Sequence, residues 1–271
     1  MNKFKTFAFL LGAVLIVSMP SCNKENEEQQ EGVFTPGKKI HKIYYSNKIN
    51  DEPRLSEEWH WNGDKLESID YYTTYNGELS YKETFSYDGN HISRIDFNSN
   101  PYHITSYTNF DYEGNYLKTA KHYYTRDGET WIEDFTFAFS YQNEKLSQVL
   151  CDRYGSQSCN LTWDGDNLSA VDEIDKGRGG FINLRFEYDN KDNPMYGRIS
   201  HEPWLIIEGI DFEDYRGPYG SFVSKNNCVK CTDEKGNTFY NIGYIYNEDG
   251  YPTQQTVTGK YIFHIFYYEY E

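Results

Sequence analysis

The chain has 271 residues, 38% of them hydrophobic and 18% aromatic, with 27 Tyr and 17 Phe. That length permits one large all-β domain or two ordinary ones, and aromatic rings must supply much of the surface that can be buried. The formal net charge is −16 and no Lys/Arg stripe is present, which excludes a nucleic-acid partner, since that needs a basic footprint.

Residues 1–21 read as an export signal. Lys3 and Lys5 form a positive start, and Phe7 to Val17 form an apolar run too short to span a bilayer. The run ends at Met19-Pro20-Ser21-Cys22. A small residue before a lone early Cys resembles a bacterial lipoprotein processing site, which makes Cys22 the candidate lipidation site and the lipid the one contact with a membrane. Met19 and Pro20 depart from the usual Leu-Ala/Ser-Gly/Ala context, and an ordinary secretory signal with an incidental Cys is the alternative. Residues 22–38 are polar and acidic, with too little apolar surface to fold, and are expected to form a disordered tether. Their Lys followed by acids resembles the surface-export signal of Bacteroidota lipoproteins, a generic solvated linker being the other reading.

Residues 39–271 read as a single β-repeat domain. Its unit is Tyr87-Asp88-Gly89-Asn90-His91-Ile92-Ser93-Arg94-Ile95: an aromatic ending one strand, a tight turn, and an aliphatic start to the next. Asp-Gly suits a two-residue hairpin loop, because such loops need positive φ. Close copies start at Trp61, Tyr112 and Trp163, and looser ones at Tyr141, Tyr188 and Tyr246. From Trp61 to Tyr188 the starts fall about 22 to 29 residues apart, within the usual range for repeat architectures. Residues alternate with period two, most clearly in Trp131, Glu133, Phe135, Phe137, Phe139 and Tyr141, so one strand face is apolar. Extra turns at Asn76-Gly77 and Asp127-Gly128 give each repeat about two strands. Ile92 and Ile95 are three apart and would face opposite ways on an ideal strand, so either the first belongs to the turn or a bulge intervenes.

The stretch from Ser200 to Asn227 breaks this rhythm. It is too long and too apolar for a surface loop and reads as a packed plug over the concave face, with a short helix near Trp204 to Tyr215. Successive hairpins pair with their neighbours by default. The expected fold is therefore all-β: a long antiparallel up-and-down meander of about 14 to 18 strands, forming a curved sheet or a half or closed barrel, with a plug near 200–227.

Three stretches carry a resemblance: Asp192-Asn193-Pro194-Met195-Tyr196-Gly197, Ser224-Lys225-Asn226-Asn227, and Tyr246-Asn247-Glu248-Asp249-Gly250-Tyr251-Pro252. With the repeats, they resemble a Bacteroidota lipoprotein family, a domain of unknown function with a porin-like fold, over nearly all of the chain after the tether. The family's Asn-Asn pair is usually followed by Pro, and Cys228 stands there instead. The resemblance implies an outer-membrane lipoprotein on the surface or periplasmic face, with no activity and no site attached to it. The tyrosine-Asp-Gly unit also looks like the YD repeats of bacterial secreted shells, which are more regular. A transmembrane barrel is not expected: mean hydropathy is −0.83, and charges such as Lys82, Arg185 and Glu187 oppose the aromatic face.

Candidate chemistry is sparse. Cys151 and Cys159 flank a presumptive hairpin turn, where a cross-strand disulfide competes with two buried thiols. Cys228 and Cys231 form a CxxC whose members an ideal strand would point to opposite sides, making a shared metal awkward. The seven His show no ligand spacing, and the acidic runs at Asp164 and Asp189 read as turns rather than calcium loops. No cofactor motif or nucleophile elbow is present. The aromatic stripes are mostly core; Trp59, Trp61, Trp131, Trp163 and Trp204 are the candidates for stacking on a ligand. The leading expectation is a non-enzymatic, lipid-anchored envelope protein that binds a glycan or protein ligand. The alternatives are a hydrolase with paired carboxylates in the concave face and an envelope protein without a discrete ligand.

Overall fold

The computed structural model describes residues 38–73, 75–99, 105–152, 157–175, 183–196, 223–259 and 263–271. All of them lie in one compact unit, Glu31–Glu271. They form sixteen strands: β1 (Ile40–Ser46), β2 (Arg54–Asn62), β3 (Lys65–Tyr72), β4 (Leu79–Asp88), β5 (His91–Ser99), β6 (Thr105–Glu113), β7 (Tyr116–Thr125), β8 (Ile132–Gln142), β9 (Lys145–Cys151), β10 (Gln157–Asp164), β11 (Asn167–Asp175), β12 (Asn183–Asp192), β13 (Asn226–Asp233), β14 (Thr238–Tyr246), β15 (Pro252–Gly259) and β16 (Phe263–Tyr270). Each pairs antiparallel with its sequence neighbour, and β1 pairs with β16, so the meander closes into a barrel. Closure leaves no sheet edge, which removes the usual template for pairing with another chain.

The repeated turns all lie at one end, the turn end. Gly89 and Asn90 form the loop between β4 and β5, and the positive φ of 59° falls on Gly89, the first loop residue, as a type II′ hairpin requires. The looser copy at Tyr141 takes another route: Asn143 and Glu144 both have positive φ, 52° and 65°, as in a type I′ turn.

A bulge resolves the spacing of Ile92 and Ile95. Tyr87 pairs with Ile92 and Ser86 with Arg94, so Ser93 is the extra residue and both isoleucines point inward. The same one-residue step recurs at Glu67, Lys118, Ser147, Ser169 and Thr253. Three of the bulged residues bond the opposite strand through a hydroxyl: Ser147 Oγ donates to Ser140 O (3.0 Å), Ser169 Oγ to Thr162 O (2.9 Å) and Thr253 Oγ1 to Ile245 O (3.2 Å).

Side chains facing the barrel interior form one core, with Trp59, Ile69, Ile95, Phe137, Val149, Leu168 and Val257 among the most buried. The outer wall is charged. Lys42 pairs with Glu58 (3.3 Å), Lys82 with Asp70 (3.0 Å), Arg185 with Asp172 (2.7 Å) and Lys230 with Glu187 (2.8 Å). Among the described residues these pairs interrupt the apolar band that a membrane-spanning barrel carries on its outside. No helix among them is long and apolar enough to cross a membrane.

Two faces expected from sequence are corrected. The stripe from Trp131 to Tyr141 is not continuous: His122 pairs with Phe135 and Tyr123 with Glu133, so Asp134 is bulged. One inserted residue flips everything before it, and Glu133 joins Tyr123 on the outer wall while Phe135, Phe137 and Phe139 stay inside. Cys228 and Cys231 are corrected in the same way. Tyr188 pairs with Cys228 and Glu187 with Lys230, Val229 is the extra residue, and both thiols are buried on the inner face. The expected plug falls largely on residues 197–222, outside the described residues.

Candidate functional site

The turn end is built by a rule that repeats around the barrel. The aromatic closing one hairpin donates to the backbone of the hairpin before it. Trp61 Nε1 reaches Ile40 O (2.8 Å), Tyr87 Oη reaches Leu66 O (2.9 Å) and Trp163 Nε1 reaches Leu146 O (2.6 Å). Tyr188 Oη reaches Leu168 O (2.6 Å) and Tyr270 Oη reaches Pro252 O (2.7 Å). In three of these cases the lysine preceding the acceptor roofs the ring. Lys39, Lys65 and Lys145 place their ammonium groups 5.7, 5.0 and 5.6 Å from the centroids of Trp61, Tyr87 and Trp163. His91 stacks on Tyr112 (4.5 Å), and Tyr251 packs on Tyr270 (5.6 Å). Each bond contributes about 1 kcal/mol and each cation–π contact about 0.5–1 kcal/mol, and together they tie these hairpins to their neighbours. Burial pushes the Tyr87 hydroxyl up to about 12, so it remains a donor. These rings serve the fold. Tyr112 Oη is an exception, buried with no hydrogen-bond partner among the described residues.

The stretches that carried the family resemblance form a clasp at this end. The first two take the place of the turn between β12 and β13, and the third is the turn between β14 and β15. Ser224 is its centre: Oγ donates to Tyr188 Oη (2.8 Å) and accepts from Leu168 N (3.0 Å), while its carbonyl accepts from Asn193 Nδ2 (2.9 Å). Asn193 Oδ1 accepts from Met195 N (2.9 Å), and Asn226 and Asn167 exchange bonds of 2.9 and 3.0 Å. Asn227 donates to Asp192 O (3.1 Å). Inside the clasp, Asn193, Pro194 and Met195 line a cavity of about 30 Å³ with Glu57, Tyr244 and Gln255. Such a volume admits about two waters and no sugar ring. A hydrogen-bonded chain runs through it: Tyr268 Oη donates to Gln255 Oε1 (2.6 Å), Gln255 Nε2 to Tyr244 Oη (3.2 Å), and Tyr244 Oη to Cys228 O (3.0 Å). The buried acids here are engaged, Glu57 by Trp59 Nε1 (2.9 Å) and Glu83 by Tyr71 Oη (2.9 Å).

The other end, the loop end, differs. Among the described residues, six of the eight large hydrophobic side chains that stand exposed lie there: Ile49, Tyr75, Leu79, Trp131, Ile132 and Leu150, with Tyr75 at 89% and Ile49 at 68%. Just below this end the outer wall carries a row across four strands, Asp96–Tyr107–Tyr123–Glu133, each residue opposite the next. The Tyr107 and Tyr123 rings stack at 4.9 Å, and Trp131 meets Tyr107 edge-on at 4.6 Å. Arg94 lies 3.7 Å from the Tyr107 centroid while bonding Asp96 (2.6 Å), and Tyr123 Oη donates to Glu133 (3.0 Å).

The expected site residues therefore separate. Trp59 is 1% exposed and sits in the core beside Trp61; Trp61 and Trp163 belong to the turn-end ring; Trp131, at 39% exposure, alone of these stands in an exposed aromatic cluster. Trp204 and Cys22 lie outside the described residues. Cys151 pairs with Gln157 and Cys159 with Val149, so the two cysteines sit diagonally across β9 and β10 and not directly opposite one another. Burial pushes the Cys228 thiol up to about 12 and Cys231 higher still. Asp166, in the first acidic run, accepts from Lys145 (2.6 Å), which holds its carboxyl below the usual range. Tyr107, Tyr123 and Arg94 were not singled out from sequence. The phase of Phe110 and Tyr112, both inward, already assigned Tyr107 to the outside.

Fold and wall together define a sixteen-stranded antiparallel barrel with an aromatic core and a polar exterior. No protein-family model matches the chain, and no curated protein matches it. Among solved structures it is similar to a porin-like protein from Bacteroides uniformis, at 14% identity and a TM-score of 0.53, over 86% of this chain and 98% of that one. A porin-like protein from Bacteroides vulgatus aligns over 86% and 99% of the two chains at 10% identity, with a TM-score of 0.34. The likeness to the first is one of fold.

Proposed function

We propose that the protein is a lipid-anchored envelope barrel that binds a ligand at its loop end and performs no chemistry of its own. The observation that carries this reading is the difference between the two ends. Residues 22–38 lead to Lys38 and Lys39, which contact Asp249 and Gly63 at the turn end. A lipid on Cys22 therefore holds that end toward the membrane and turns the exposed apolar side chains of the loop end outward. Exposed side chains clustered at one end, away from the anchor, fit a partner surface. The engaged state of Glu57 and Glu83 and the small cavity beside Glu57 favour binding over hydrolysis.

Two measurements test it. The full-length protein should partition into detergent and the Cys22→Ser variant into water; equal partitioning removes the anchor. Envelope glycan and protein fractions should bind the full-length protein, bind an Ile49→Ser/Tyr75→Ser/Trp131→Ala variant far less, and bind turn-end Ile245→Ser normally. Equal loss in both variants removes the loop end as the binding end.

A further inference from the structure

We infer that the outer wall over β5 to β8, around Tyr107, Tyr123 and Trp131, is a stacking site for an uncharged saccharide. This rests on the loop end being the binding end and names its ligand class.

Three rings from two strands and a loop keep mutual contact on the solvent side, where burial of core does not require them. Trp131 reaches this wall only because the bulge at Asp134 turns the start of β8 outward. Aromatic faces suit the C–H faces of a pyranose ring, which are apolar and weakly electropositive. Ring hydroxyls need acceptors and donors at the edge of such a platform. Asp96 and Glu133 close the row at its two ends, and Arg94 lies over Tyr107 with donors to spare beyond its bonds to Asp96.

Charge and topology select among ligands. Asp96, Asp111, Glu133 and Asp134 outnumber Arg94 and Lys121 on this wall, and the whole chain carries −16, so uronates and sulfated chains are disfavoured. An extended peptide is disfavoured too: β1 pairs with β16, so no strand edge is open for a peptide to join. A planar sugar needs neither a groove nor an edge.

Affinity electrophoresis of the full-length protein tests this, with neutral glucan, mannan, xylan and galactan as probes and polygalacturonate as the charged control. At least one neutral polysaccharide should retard the protein. Trp131→Ala and Tyr123→Ala should each weaken that binding about tenfold. Tyr123→Phe, which keeps the ring, should weaken it less, and turn-end Ile245→Ser should leave it unchanged. Thermal melts of Trp131→Ala that match the parent exclude misfolding. Retardation by none of the neutral probes, preference for polygalacturonate, or indifference to Trp131→Ala overturns the assignment. If envelope fractions still bind in an Ile49- and Tyr75-dependent manner while every neutral polysaccharide fails, the saccharide site falls and the loop-end reading stands.

Discussion

The same residue type does opposite work at the two ends of this barrel. At the turn end, Trp61 and Trp163 are half-buried, bonded to the preceding hairpin and roofed by a lysine. At the loop end, Trp131 stands in water against two tyrosines that the core does not need. The turn end is a structural collar, and its aromatics are spent on holding hairpins in step. The loop end keeps its aromatics available.

The sharpest way to break this contrast is to remove one tryptophan from each end. Trp163→Ala should cost about 3 kcal/mol in chemical denaturation, from lost burial, a lost bond to Leu146 and a lost lysine contact. Trp131→Ala should cost less than about 0.5 kcal/mol. Similar losses for both would erase the distinction between collar and platform. Next in size, Ser224→Ala removes the hydroxyl shared by Tyr188 and Leu168, leaving the Leu168 N–H without its acceptor, and should cost about 2 kcal/mol by the same assay.

A pair within the collar sharpens the rule itself. Tyr87→Phe loses its bond to Leu66 and should cost about 1 kcal/mol, whereas Tyr112→Phe removes a buried hydroxyl without a partner and should be neutral or stabilising. Equal costs would show that these bonds contribute nothing. The smallest effect concerns His264, whose Nδ1 lies 2.8 Å from Tyr45 Oη and whose pKa burial lowers. The unfolded chain then takes up a proton near pH 6.5 that the folded chain refuses. Stability is full above about pH 6.5 and declines as the pH falls through the folded value. Melting temperatures across that window should slope downward toward acid, and His264→Gln should flatten that slope.

The hairpins of the turn end were legible in advance, whereas Trp61 and Trp163 read as candidates for stacking on a ligand. The aromatic, the glycine and the following aliphatic recur at fixed places, and such a triplet can satisfy backbone, burial and turn geometry in one way. The bulges were not legible. Ser93 reads like any other strand residue, and its insertion shows only once Tyr87 is seen opposite Ile92. The same blindness hid the platform, because Trp131 shares its spacing with Phe135 and Phe137, and only the extra residue at Asp134 separates them. Likewise the Asn193 and Ser224 stretches stood out as patterns, yet their joint role as a clasp depends on contacts between residues far apart in the chain.

What the amino-acid order determined alone is local: antiparallel hairpins, their number within a narrow range, and a one-sided apolar pattern that had to enclose a core. Those follow from φ preferences at the turns and from period-two burial, which act over a few residues. Closure of β1 on β16, the face each side chain takes after a bulge, and the separation of collar from platform were decided in three dimensions. Each depends on register summed over many strands, and a one-residue step anywhere in that sum turns inside to outside.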